Sequence, residues 1–66
     1  MTQRWEYMVI DVEYEGRWWT TPLVADGTNL TEGCSQLGRD GWELTSTERM
    51  FSGRYFLRLF FKRPAH

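Results

Sequence analysis

Few side chains in this sequence have the chemistry that catalysis or metal binding needs, and their spacing does not bring them together. Cys34 is the single cysteine and lies on the apolar stripe of a short predicted helix, where burial disfavours the reactive thiolate. His66 is the last residue, where we expect a solvated tail. Asp11 and Glu13 share one face of a predicted strand. A solvated sheet face explains this pair of carboxylates without any catalytic role. We therefore predict no catalytic, cofactor-binding or metal-binding residue and no enzyme activity.

The last predicted strand carries the strongest candidate for a binding surface. On one of its faces, aromatic and basic residues alternate: Phe56, Arg58, Phe60 and Lys62. Aromatic side chains with arginine are typical of protein interfaces, and they also stack on the bases of single-stranded nucleic acid. A third interpretation is that an arm carrying Trp18 and Trp19 covers this stripe within the chain.

Among these three interpretations we favour self-association, with a single-stranded nucleic-acid-binding module as the alternative. The net charge of −1 disfavours binding to phosphates. The exposed edges of a four-stranded sheet offer a second route to a homo-oligomer. The expected partner is a second copy of the chain or another protein. The predicted interface residues are Trp18, Trp19, Phe56, Arg58 and Phe60.

Length and composition also favour a partner surface. With 66 residues, we expect a single domain over 1–66, which buries only about 60% of the surface that the unfolded chain exposes. One cysteine cannot form a disulfide within the chain. Four Trp, three Tyr and four Phe side chains are too many to hide beneath one short helix, so we expect some of them on a second, interacting surface.

The charges are unevenly distributed along the chain. All nine acidic residues fall between Glu6 and Glu48, whereas the charges that follow are all basic. We predict that the basic last strand pairs with the acidic first strand, which carries Glu6, Asp11 and Glu13. No apolar run approaches the ~18 residues that span a bilayer, and the first residues lack the layout of a signal peptide. We therefore expect a cytoplasmic protein that does not contact a membrane.

Apolar alternation predicts four strands, and a helical period predicts one helix. The strands are predicted over Trp5–Tyr14, Arg17–Ala25, Trp42–Phe51 and Arg54–Arg63, and the helix over Leu30–Arg39. Pro22 places the second strand at an edge or a bulge, and Ser52-Gly53 is expected to form a two-residue hairpin connection. Asn29 is the predicted N-cap of the helix, with Glu32 completing a capping box and Thr28 as the competing cap.

The segment between the helix and the third strand has the densest pattern in the sequence. Gly41 suits the left-handed position just past a helix end. Trp42 and Leu44 are expected on one face of the third strand, opposite Glu43, Thr45 and Thr47. We interpret this segment as a structural pivot that stops the helix and seats it on the sheet, formed by Leu37, Gly41, Trp42 and Leu44. The helix is expected to cover the face of the last strand that carries Tyr55, Leu57, Leu59 and Phe61.

These elements predict an α+β fold. The predicted fold is a small ββαββ domain: a four-stranded antiparallel sheet with one short helix packed on one face. Its second face, rich in aromatic residues, is then available for homo-oligomerisation.

Three short motifs, in this order along the chain, resemble the pattern of a known protein family. They are Trp5-Glu6-Tyr7, the run from Leu37 to Leu44 (LGRDGWEL), and Phe60-Phe61-Lys62-Arg63. This W-E-Y, L-G-x-x-G-W-E-L and F-K-R pattern resembles a family of very small bacterial proteins, the domain of unknown function 4177 family. The Trp-rich arm between Glu13 and Thr28 departs from the shorter family pattern. The resemblance implies a compact α+β domain of bacterial or phage origin and no catalytic residues, because the family has none assigned. We therefore expect a non-catalytic domain of uncharacterised function that acts through self-association or protein interaction.

Overall fold

The computed structural model describes residues 2–65, and its elements follow the predicted order. They are β1 (Trp5–Glu13), β2 (Trp18–Trp19), α1 (Leu30–Arg39), β3 (Glu43–Phe51) and β4 (Tyr55–Pro64). The strands form one antiparallel sheet in the order β2-β1-β4-β3. The predicted ββαββ α+β fold is confirmed: four antiparallel strands lie in one open sheet, with one short helix. No helix among residues 2–65 is long and apolar enough to cross a membrane.

The two central strands, β1 and β4, are joined by side-chain charge as well as by backbone pairing. Their register runs from Trp5 opposite Pro64 to Glu13 opposite Phe56. Across this register, arginines of the last strand and of the turn before it pair with acids of β1: Arg54 with Glu13, Arg58 with Asp11, and Arg63 with Glu6. The predicted pairing of the basic last strand with the acidic first strand is confirmed.

Helix α1 begins at the predicted cap. The Asn29 side chain accepts a hydrogen bond from the backbone N–H of Glu32 at 2.8 Å, which satisfies one of the free N–H groups of the first turn. The Glu32 carboxylate accepts a hydrogen bond from Arg39, two turns further along the helix, at 3.4 Å. The predicted N-cap is therefore confirmed, but the Glu32 side chain bonds Arg39 and so does not complete the expected capping box.

The helix ends in a Schellman motif at the predicted glycine. The backbone N–H of Trp42 donates to the carbonyl of Leu37, and that of Gly41 donates to the carbonyl of Gly38, both at 3.0 Å. Gly41 has a φ of 90°, in the left-handed region that favours glycine. The chain therefore turns directly from the helix into β3.

The core lies between the helix and one face of the sheet, here called the helix-side face. Leu37 of the helix is fully buried against the central strands. The remaining buried apolar residues come from the strands and from the loop after β2: Ile10, Val12, Trp19, Val24, Leu59 and Phe61. The helix-side face is therefore the packed face, and β1 and β4 supply most of its apolar side chains.

The second strand is much shorter than predicted. The interval Arg17–Ala25 contains only the two-residue strand Trp18–Trp19. Beyond it the chain folds back, because the Asp26 carboxylate accepts from the backbone N–H of Trp19 at 2.8 Å and the Gly27 N–H donates to the Arg17 carbonyl at 2.7 Å. These bonds occupy the N–H of Trp19 and the carbonyl just before β2, so the chain's own loop covers part of this edge of the sheet.

Two details of the β3–β4 hairpin also differ from the prediction. A β-bulge between Leu44 and Ser46 shifts the alternation, so Thr47 lies opposite Leu59 on the helix-side face and not with Glu43. Phe51 pairs with Tyr55, so the connection has the three residues 52–54 and not two. The hydroxyl of Thr45 at the bulge donates to the Phe60 carbonyl at 3.1 Å.

Candidate functional site

The face of the sheet opposite the helix, here called the outer face, is the main candidate surface. Cross-strand register places its side chains in rows, because residues opposite one another point to the same face. The rows are Tyr7, Lys62 and Glu43; Val9, Phe60 and Ser46; Asp11, Arg58 and Glu48; and Trp18, Glu13, Phe56 and Met50. Apolar and charged rows therefore alternate down the outer face.

The structure brings four of the five predicted interface residues to this face. Phe56, Arg58 and Phe60 are half-buried along β4, and Trp18 is exposed at the margin with its ring 5.6 Å from that of Tyr14. Trp18 and Trp19 form β2 within the sheet, so they do not make a second layer over the stripe.

The assignment of Trp19 to the interface is wrong. Its side chain points to the helix-side face and is only 6% exposed. Its indole N–H donates to the Thr28 carbonyl at 2.9 Å, and its ring packs under Gly33 of the helix. Successive residues of a strand point to opposite faces, so only one of the two tryptophans could join the outer face.

Sequence reasoning missed the most exposed part of the outer face. Trp5, Tyr7 and Val9 of β1 lie there, and Tyr7 is 73% exposed. The signal was present in the sequence, because these alternate residues are all apolar or aromatic. The helix of this fold packs on the opposite face of the sheet, which leaves these side chains exposed.

Charges on the outer face compensate one another. Arg58 donates two hydrogen bonds to Asp11, at 2.9 and 3.2 Å, and Glu48 lies opposite Arg58 on β3. The hydrogen bond to Asp11, its charge and that of Glu48 raise the pKa of Arg58. The acids of this surface are Asp11, Glu13, Glu43 and Glu48, and its bases are Arg54, Arg58 and Lys62. The face is therefore not a positive surface.

Cys34 has the environment of a structural thiol. It is a free, half-buried cysteine packed against the core, and burial raises its pKa. A raised pKa lowers the thiolate fraction at neutral pH and with it the reactivity. Within residues 2–65, no three His, Cys, Asp or Glu side chains are grouped as metal ligands.

The predicted pivot is tied to both central strands by one arginine. Arg63 donates to the Glu6 carboxylate at 3.1 Å and to the Asp40 carbonyl, just past the helix, also at 3.1 Å. Its guanidinium lies 4.3 Å from the centre of the Trp42 ring. A cation at this end of a helix also interacts favourably with the helix dipole. We call this cluster of Glu6, Asp40, Trp42 and Arg63 the motif joint.

The other pivot residues support the same structural role. Leu37 is fully buried, and Leu44 is partly exposed opposite Phe61. Next to the joint, the Lys62 ammonium lies 4.2 Å from the centre of the Trp5 ring and opposite Glu43. Residues of all three sequence motifs therefore meet at one end of the sheet.

The chain matches no family model, no curated protein and no solved structure. The resemblance carried by the three motifs stays a prediction. These motif residues form an ion pair, cation–π contacts and the hydrogen bonds that end the helix, all of which are contacts that hold a fold together.

Proposed function

We propose that this protein is a non-catalytic interaction domain that associates with itself through the outer face of its sheet. One observation carries the proposal: within residues 2–65, nine large apolar side chains are exposed against seven buried apolar residues, and four of the nine lie on the outer face, namely Trp5, Tyr7, Val9 and Trp18. A domain this small gains little from its own core, and exposed apolar surface of this extent is typical of an interaction site.

The accessible surface of the chain supports a missing partner. It measures 4985 Å², whereas a compact monomer of 7.9 kDa exposes about 4,400 Å². The excess of about 600 Å² accompanies the elongated shape of the chain and adds to the surface that is open to a partner. A second copy is a simple source of such a partner, because most soluble oligomers are built from identical chains.

Tyr7, Val9 and Phe60 form the centre of the proposed contact. Val9 lies opposite Phe60, and Tyr7 is two residues from Val9 on the same face of β1. Burying an apolar side chain of this size contributes about 1.5–3 kcal/mol. The Asp11–Arg58 pair beside them is held in place by two hydrogen bonds and could fix the orientation of the partner.

Nucleic acid is the less supported ligand. A sheet that stacks single-stranded bases needs basic side chains free to reach phosphates. Here Arg58 is engaged by Asp11, Arg54 is engaged by Glu13, and Lys62 lies over Trp5. Acids outnumber bases on this face, which repels a phosphate backbone.

The proposal also covers the location of the protein, its family and the absence of catalysis. The free thiol of Cys34 is compatible with a reducing compartment, which supports a cytoplasmic location. The three motifs at the joint support a place in the domain of unknown function 4177 family. The environment of Cys34 and the compensated carboxylates of β1 support the absence of catalysis.

The interface is tested by light scattering of the Tyr7→Ser/Val9→Ser variant beside wild type. Both side chains are exposed, so the fold is expected to remain while the oligomer dissociates into smaller species. Leu23→Ser is the matched control, because it removes an exposed apolar side chain from a loop outside the sheet. An oligomer that survives in the double variant places the contact elsewhere. Binding of labelled single-stranded RNA at low salt would favour the alternative function.

A further inference from the structure

The helix covers only part of the helix-side face. Ten residues of helix extend about 15 Å, whereas the ten residues of β4 extend about 33 Å. The molecule is accordingly elongated, with a longest dimension of 44 Å. At the far end of the β3–β4 hairpin, Phe51 is 67% exposed and Tyr55 is 70% exposed, with their rings 4.8 Å apart.

An open cleft lies between this projecting hairpin and the turn that joins β1 to β2. Its volume is about 440 Å³. Val12 and Leu57, opposite one another on the central strands, contribute apolar surface. Glu15 and Gly16 of the turn line it, as do Arg49 and Tyr55 of the hairpin. The cleft is therefore apolar, with one acid from the turn and one base from the hairpin.

The turn is held in an unusual conformation. Tyr14 and Glu15 have φ values of 53° and 58°, and Gly16 continues the left-handed stretch at 81°. Such a φ is uncommon for residues other than glycine, and this turn places two of them in succession. The Arg17 N–H donates to the Glu13 carbonyl at 3.0 Å and to the Tyr14 carbonyl at 3.2 Å, which closes the turn. Glu15 is thus presented from a constrained backbone.

The two charges of the cleft are complementary but are not used within the chain. The ion pairs formed among residues 2–65 include neither Glu15 nor Arg49. In a two-fold symmetric contact, a complementary pair forms twice, because each copy gives its base to the acid of the other copy. A surface that carries both an acid and a base on separate elements is therefore complementary to itself.

We propose that the hairpin of a second copy of this chain occupies the cleft in a two-fold symmetric contact. Arg49 of each copy pairs with Glu15 of the other, and the exposed rings of Phe51 and Tyr55 cover the apolar cleft. This inference rests on the proposed self-association and adds to it a second surface on the opposite side of the sheet. A chain that uses both surfaces joins two neighbours, so the full assembly is larger than a dimer.

Charge reversal tests this contact. Arg49→Glu alone and Glu15→Arg alone each place like charges across the interface, and we expect each to weaken association by at least about tenfold and to reduce the mass seen by light scattering. Mixing the two variants places opposite charges across the interface again, so the mixture regains the wild-type mass. Arg17→Glu is the matched control, because it makes the same change in charge at an exposed residue that is not part of the cleft lining.

The outcomes distinguish failure of this inference from failure of the proposed function. A wild-type mass equal to one chain overturns both. A wild-type oligomer that persists in both single variants overturns the cleft contact and leaves the outer face as the interface. Loss of association that mixing does not restore also overturns the exchange of charges between copies, because a contact within one chain cannot be repaired by a second chain. Circular dichroism of each variant confirms that it is folded.

Discussion

Gly33 has no side chain, and the ring of Trp19 fills the space that a Cβ atom would occupy. The ring of Trp19 therefore lies closer to the helix backbone than any other residue at this position would allow. Glycine in a helix costs roughly 0.5–1 kcal/mol relative to alanine, because its unfolded backbone is more flexible. At this position, that cost is offset by the burial of a tryptophan, the largest side chain in the core.

Alanine at the two helical glycines should have opposite effects. In Gly33→Ala, the new methyl group collides with the Trp19 ring, and overpacking of this kind costs about 1–3 kcal/mol. Gly38 has open space where its Cβ would lie, so Gly38→Ala should stabilise the protein by about 0.5–1 kcal/mol. Urea denaturation of both variants measures the difference. Equal stabilisation by the two substitutions would show that the helix does not rest on Trp19.

At the scale of the elements, the motif joint explains how a weak helix is held. Arg63 links the end of the helix to β1 through Glu6, and it covers the ring of Trp42. The Schellman motif at Gly41 directs the chain from the helix to β3. The segment from Leu37 to Leu44 therefore serves to hold the fold together, and the surface available to a partner lies elsewhere.

Gly41→Val should destabilise this joint. A β-branched residue at a φ of 90° is strained, and we expect a loss of about 1–3 kcal/mol in the free energy of unfolding. Ser35→Val is the control, since it introduces the same side chain at an exposed helical position with ordinary backbone geometry and should cost less than ~1 kcal/mol. Thermal and urea denaturation give both values. Equal losses in the two variants would count against a strained joint.

Elements defined by local patterns could be predicted from the sequence. The helix bounds, the Asn29 cap and the Gly41 stop depend on residues close together in the chain, and all three are confirmed. The length of β2 depends on a hydrogen bond that Asp26 accepts from Trp19, seven residues away, and one that Gly27 donates to Arg17, ten residues away, and alternation does not reveal either. The bulge at Thr45 is bonded to the opposite strand, so it too escapes a local pattern.

The outer face could be predicted only in part, because its exposure also depends on contacts between elements that are distant in the sequence. The alternation of β4 placed Phe56, Arg58 and Phe60 on one face, and the structure agrees. Whether a side chain is covered depends on which face the helix packs on, which decides the exposure of Tyr7, and on how far the helix reaches, which decides that of Tyr55. Both tyrosines were missed as surface residues because strand periodicity assigns faces but says nothing about cover.

For the whole molecule, the central claim is that the apolar surface exposed by one chain is buried by another. The structure has a thin, elongated shape of 44 × 22 × 16 Å, and its exposed aromatic residues lie on both faces of the sheet. Sedimentation equilibrium of the wild-type chain over a wide concentration range tests this claim most directly. We predict a mass that is a multiple of 7.9 kDa and falls towards 7.9 kDa on dilution. A mass of one chain at every concentration would contradict the account.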